Sequence, residues 1–366
     1  MTRFWVGGYG DDMQGDAEGI GFLSVDEGRG ASTLTYRGVA APVASPSWLA
    51  QHPSLDVVYA ALEGAGEVQA FARSGESSLH PLGPALAAGD SVCHLAVSPV
   101  GRMLIASCYG DGRVVRYGIA DDGRLVPAAP DKAAALRAAL FGEEASENET
   151  DAAAASDPYP TPAGDEPRDS HAHSAVFLPG GRIATTDLGF DLVRIWRASG
   201  TGLTIDHEVV LPRGTGPRHM VMHPSGHLHV VTEYSCEVFT LASARDGSWS
   251  LASATTASPI AQVGVDFPAE LALSRDGQTL YTALRGSNTV SALRVRGSGE
   301  TVEPLALADS GVDWPRHHLV HEGVLLVAGQ RSGTVAAIDL DERTGAPREV
   351  RHTASAPTPT AILPAR

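Results

Sequence analysis

Short apolar runs alternate with Pro/Gly turns along almost the whole chain, and the alternation itself repeats. Its clearest copy runs from Gly216 to Glu233: an apolar run through Met222, a His-Pro-Ser-Gly turn, a second apolar run, then a carboxylate. Related copies start near Pro46, Val92, Ala172, Pro217, Pro268 and Pro315, most of them about 45–50 residues apart. A period of that length belongs to a radial or solenoidal array with one supersecondary unit per repeat.

Within one copy the pattern predicts four short strands. Arg218 to Pro224 forms strand A, His227 to Tyr234 strand B, Glu237 to Ala242 strand C, and strand D lies near Leu251 to Thr256. In strand B, Leu228, Val230 and Thr232 alternate against His229 and Val231, the period of a β-strand. Arg102–Cys108, Gly181–Asp187, Gln278–Leu284 and Gly323–Gly329 read as further B strands.

The two ends complete one more unit. Thr358–Pro364 reads as an A strand without partners, whereas Phe4–Tyr9, Ile20–Asp26 and Leu34–Val39 read as B, C and D without their A. Pairing them closes the ring and removes the exposed edge of an open array. The expected fold is all-β: a seven-bladed β-propeller of four-stranded antiparallel blades, one domain over residues 1–366. Residues 128–169 break the period. Asp131–Leu140 fits a short helix ended by Gly142, and Glu143–Asp157 is acidic and alanine-rich, so the insertion is expected to be partly disordered beside the mouth, a candidate lid.

Bulk properties narrow the function. With 43% hydrophobic residues the chain can build a core, and Gly 40 and Pro 24 supply the turns. A net charge of −16 argues against nucleic acid and anionic membranes as partners. No apolar segment has transmembrane length, and the first residues read as a strand rather than a signal peptide. Cys93, Cys108 and Cys236 have no metal-binding spacing, and reduced thiols in a cytoplasm are the expectation. Oligomeric state has no sequence signal.

In an antiparallel A–B hairpin the start of A and the end of B share one end of the blade. One mouth of the propeller should therefore collect Trp48, His94, His173, Arg218, Glu270 and Arg316 from the A starts. Glu63, Tyr109, Leu188, Glu233, Arg285 and Gln330 come from the B ends, with Asp187 one step away and Tyr9 from the closing blade. Imidazole, carboxylate and guanidinium groups at a channel mouth suit an anionic small molecule undergoing acid–base chemistry.

His171-Ala-His173-Ser, Asp187-Leu-Gly, Gly216-Pro-Arg218-His, Glu233 at the end of strand B, Leu284-Arg285-Gly and Trp314-Pro-Arg316 together resemble the lactonase family of seven-bladed propellers, in order and in phase. That family includes bacterial 6-phosphogluconolactonase and is similar to fungal carboxymuconate-lactonizing enzyme. Leu326–Ser332 also looks like the phosphogluconolactonase type. The resemblance implies hydrolysis of 6-phosphoglucono-1,5-lactone in the pentose phosphate pathway, without metal or cofactor. It carries the family's functional His, Arg, Glu and Arg onto His173, Arg218, Glu233 and Arg285. Arg316, Gln330, Arg331, His94, Asp187 and His171 are candidates for contacts to the anionic sugar-lactone substrate.

Other readings compete. His173 fits a hydrogen-bonded strand-start histidine, and Arg218 and Arg285 fit salt-bridge partners of Glu233, Glu270 or Asp187. Glu63, Tyr109 and Trp48 read as wall residues. His171-x-His173 with Glu233 resembles part of a zinc set but lacks a third strong ligand. Two alternatives to the lactonase are a muconate-type cycloisomerase and a non-catalytic ligand- or partner-binding propeller.

Overall fold

The computed structural model describes residues 2–27, 32–127, 156–162, 166–200 and 202–365. Its strands form seven antiparallel sheets: six have four strands, and a seventh has four plus the short Leu86–Ala87. Blade 1 pairs Pro359–Pro364 with Thr2–Gly8, followed by Gly19–Glu27 and Ser32–Pro42, which closes the ring as the sequence pattern anticipates. The A strands of blades 2 to 7 are Pro46–Gln51, Val92–Val97, Ala172–Phe177, Pro217–Met222, Phe267–Leu273 and Pro315–His321. The expected start of blade 6, Pro268, is one residue late.

Alternation of apolar residues puts one row of each strand toward each neighbouring blade. The result is seven apolar clusters, one at every blade–blade interface. Trp5, Ile20, Leu49 and Phe71 join blades 1 and 2, for example, and Ile105, Val114, Ile183 and Trp196 join blades 3 and 4. Phe4, Leu23, Leu326 and Val335 seal the interface between blades 1 and 7. Side chains of this size contribute about 1.5–3 kcal/mol each when fully buried, so the ring is held by its interfaces.

The expected helix at 131–140 and most of the expected lid lie outside the described residues. The chain just after them is tethered to blade 4. Arg168 contacts Asp157 and Asp191 at 2.5 Å each, and the Tyr159 hydroxyl donates to the Leu211 carbonyl at 2.5 Å. Among the described residues no helix is long and apolar enough to cross a membrane. Cys93, Cys108 and Cys236 are free and buried.

Candidate active site

Every blade has a register shift at the mouth end of its A–B hairpin. In blade 5, Pro217 pairs with Thr232 and His219 with Val231, so Arg218 is extra. In blade 7, Pro315 pairs with Gly329 and His317 with Ala328, so Arg316 is extra. Such a β-bulge sets two residues against one and re-aims their side chains. It divides the residues expected at a single level. His173, Arg218 and Arg316 occupy the first bulge position, whereas Trp48, His94 and Glu270 occupy the second, with His219 and His317.

At the upper level Glu233 Oε2 lies 2.8 Å from Arg218 Nε and 2.6 Å from Arg285 Nη2. These are close ion pairs, although neither N–H points straight at the oxygen. Arg285 Nε also donates to the Phe267 carbonyl at 2.9 Å, which fixes the plane of its guanidinium. The loop presenting Arg218 is held from below by Asp191, which accepts the backbone N–H of Gly214 and of Gly216 at 2.9 and 2.8 Å. Gly216 has φ 63, and a Cβ there would come within 2.6 Å of the Tyr234 ring, so glycine is required. His173 is buried, and its Nδ1 has no hydrogen-bond partner.

Arg316 sits with its guanidinium 5.0 Å from the Tyr9 ring, and its Nη1 donates to Gln330 Oε1 at 3.3 Å. The Tyr9 hydroxyl donates to Glu63 Oε1 at 3.1 Å. Exposed Arg331 stacks on Trp314 at 3.5 Å, and Arg285 approaches the same indole at 5.5 Å. The structure thus brings His173, Arg218, Glu233, Arg285, Arg316 and Gln330 to one mouth. Asp187 belongs elsewhere. It is fully buried, accepts the backbone N–H of His171 and Phe190, and ion-pairs with Arg194 at 2.6 Å, so both its oxygens are spent on the turn. His171 stacks on Tyr109 at 4.4 Å and engages the Tyr109 carbonyl at 2.6 Å. His94 lies at the second level, 4.4 Å from Trp48.

The family described as Lactonase, 7-bladed beta-propeller, has a model that matches residues 3–364. The chain belongs to that family. A curated relative, the 6-phosphogluconolactonase of Bacillus subtilis (strain 168), is 25% identical over 99% of this chain and 98% of the relative. Among solved structures, the periplasmic gluconolactonase PpgL of Pseudomonas aeruginosa is similar with a TM-score of 0.82 at 21% identity, over 99% of this chain and 98% of that one. A Lactobacillus plantarum protein is similar with a TM-score of 0.80 at 23% identity, over 100% and 99%. At those identities the likeness of the structures shows the fold.

Electrostatics sort the roles open to each group in this lactonase-family site. Burial, then the charges of Arg218 and Arg316, hold the His173 imidazole well below its usual range, so it is neutral at pH 7. Burial alone would raise Glu233, but the guanidiniums of Arg285 and Arg218 outweigh it and keep the carboxylate below its ordinary value. Burial pulls Arg285 down to about 10. Glu233 is therefore held as an anion between two guanidiniums, and the imidazole of His173 beside it is neutral. A cavity of about 210 Å³ lined by Phe4, Val25, Leu34 and Leu326 lies between blades 1 and 7 at the opposite face, and no residue of the mouth lines it. Among the described residues no group of three or more His, Cys, Asp or Glu is disposed to hold a metal ion.

Buried neutral histidines also set a pH dependence of stability. Burial lowers His94 and His317 to about 3 each, and holds His173 and His219 well below 6.5. Unfolded, all four titrate near 6.5. Below that pH the unfolded chain binds the more protons, so stability falls as pH falls. Glu270 acts in the opposite sense, because burial raises its folded carboxyl well above 4.5. Four groups outweigh one: the thermal midpoint at pH 5 is expected below that at pH 7. A midpoint unchanged or higher at pH 5 would contradict these protonation states.

Proposed function

We propose that this protein is a metal-independent lactonase that hydrolyses a sugar lactone, with 6-phosphoglucono-1,5-lactone as its substrate. The observation that carries the reading is the Arg218–Glu233–Arg285 cluster beside a neutral His173 with a free Nδ1 at one channel mouth. Membership of the lactonase family and the full-length match to a 6-phosphogluconolactonase support it.

In the proposed chemistry His173 takes a proton from water as the oxygen attacks the lactone carbonyl carbon. The carbonyl oxygen becomes an oxyanion, which Arg218 and Arg285 stabilise by charge-assisted hydrogen bonds. The bond from that carbon to the ring oxygen then breaks, and imidazolium gives its proton to the departing oxygen. An imidazolium of low pKa is a strong acid, so the lowering that makes His173 a weak base makes the second transfer easy. Arg316 and Gln330, with Arg331 at the rim, bind the anionic end of the substrate.

The deciding assay follows the opening of freshly made 6-phosphogluconolactone, corrected for spontaneous hydrolysis, beside unphosphorylated gluconolactone and a muconolactone. No acceleration of either sugar lactone sinks the reading, and turnover of the muconolactone alone favours the cycloisomerase. Activity is expected to survive a chelator such as EDTA unchanged, since nothing in the mechanism passes through a metal. Loss on chelation, restored by a divalent cation, would overturn metal independence. The substrate would place the enzyme in the pentose phosphate pathway of a cytoplasm, a compartment with which three buried free thiols agree.

A further inference from the structure

Each A-strand residue aimed at the mouth shares its bulge with the residue that follows it. Pro-Arg-His occurs twice, at Pro217-Arg218-His219 in blade 5 and Pro315-Arg316-His317 in blade 7. Blade 6 lies between them, and there the second position is Glu270. Glu270 faces both imidazoles: its Oε1 lies 3.4 Å from His219 Nδ1 and its Oε2 lies 3.9 Å from His317 Nε2. Trp48 packs across the axis at 5.6 Å from His219 and 5.2 Å from His317, although its own blade adjoins neither of theirs. The second level is therefore a plug in the central channel, directly beneath the arginines.

One hydrogen bond fixes a proton in this plug. His317 Nδ1 accepts the backbone N–H of Ile362 in the closing blade at 3.3 Å, so its own proton sits on Nε2, facing Glu270. Burial raises the Glu270 carboxyl well above its ordinary range, against the opposing charge of Arg218, and so favours a proton between it and His219 Nδ1. At 3.4 and 3.9 Å the groups are in close approach, and keeping them neutral avoids the penalty of a charge buried in the channel. Glu270 Oε2 and both nitrogens of His219 have no aligned hydrogen-bond partner in the structure, and the charge of Arg218 above also acts on the carboxyl.

We propose that Glu270 is a positioning residue. From blade 6 it holds the bulges of blades 5 and 7 at a fixed spacing, and so sets the separation and aim of Arg218 and Arg316. Those guanidiniums would grip the reacting carbonyl and the anionic end of one substrate. The inference rests on the lactonase reading of the mouth. Misplacing a catalytic group by about 1 Å costs on the order of 10²-fold in rate, whereas a carboxyl serving as filler is replaceable by an apolar side chain of similar volume.

The test compares Glu270→Leu with Glu270→Gln, both checked for folding by circular dichroism and thermal unfolding. With 6-phosphogluconolactone the Leu variant is expected to lose about tenfold or more in kcat/KM, and the Gln variant, which keeps both polar ends, to recover most of it. Wild-type kcat and KM in a folded Leu variant overturn the proposal, and so does equal loss in both variants. Calorimetric binding of inorganic phosphate is the second readout. If the wild-type protein opens no lactone, the functional reading fails, but weaker phosphate binding by the Leu variant still supports positioning. Unchanged phosphate binding then overturns it. Should the Leu variant not fold, His317→Asn cuts one arm of the plug and is judged by the same measurements.

Discussion

His173→Ala is expected to lower kcat by about 10²–10⁴-fold, the usual contribution of a positioned acid–base group, in a protein that folds normally. Folding should survive because the His173 side chain has an unpartnered Nδ1 and belongs to none of the interface clusters. The residue also predicts the shape of the pH–rate profile. With its imidazole held well below 6.5 by burial and by Arg218 and Arg316, kcat/KM should stay level as pH falls through 6.5 and drop only further down. Arg316→Gln removes one of the charges opposing protonation and should move that acid limb to higher pH. Near-wild-type turnover of the folded His173→Ala protein would remove the histidine from the mechanism. An Arg316→Gln limb that moves to lower pH would reverse the electrostatic account.

Glu233→Ala is expected to be the most destabilising change at the mouth. Glu233 is the acidic partner in close ion pairs with both Arg218 and Arg285, which are only 4% and 6% exposed. Removing one member of a buried ion pair leaves an uncompensated charge and costs about 3–5 kcal/mol. Adding Arg285→Met to the same protein should restore part of the loss, since one of the stranded charges goes with it. Phosphate should raise the thermal midpoint of Glu233→Ala more than that of the wild type, by supplying an anion in place of the carboxylate. A midpoint within experimental error of the wild type would mean that solvent reaches both guanidiniums and that the pairing matters little.

Much of the scaffold can be read in the sequence because the fold is periodic. The starts of the A strands at Pro46, Val92, Ala172, Pro217 and Pro315 are where the repeat pattern puts them, and the pairing of Pro359–Pro364 with Thr2–Gly8 follows from counting incomplete units. The approach of Arg218, Glu233 and Arg285 follows from phase alone, since each lies at the mouth end of its strand. What phase does not reveal is the bulge. A residue count along the A strands treats Trp48, Glu270 and Arg218 as equivalents, but the extra residue in each hairpin moves the first two a level down. The repeated Pro-Arg-His was the available signal: two adjacent polar residues cannot both face one level of a regular strand. Asp187 was also opaque, because a carboxylate that anchors a turn and one that faces a ligand occupy the same place in the pattern until its partner Arg194 is located. Asp191 carried no sequence signal, and its work for the Arg218 loop appears only in three dimensions.

The doubled position in every hairpin separates two tasks that most binding pockets entangle. The extra residue is the one turned toward the mouth, while in blades 2, 3, 5, 6 and 7 its neighbour packs at the level below. Ser47, Cys93, Ala269 and Thr360 occupy the same place in other blades, so one bulge geometry accepts side chains from alanine to arginine, and none of these positions belongs to an interface cluster. A ring of this design can drift toward new substrates by single replacements without reopening the problem of how to fold.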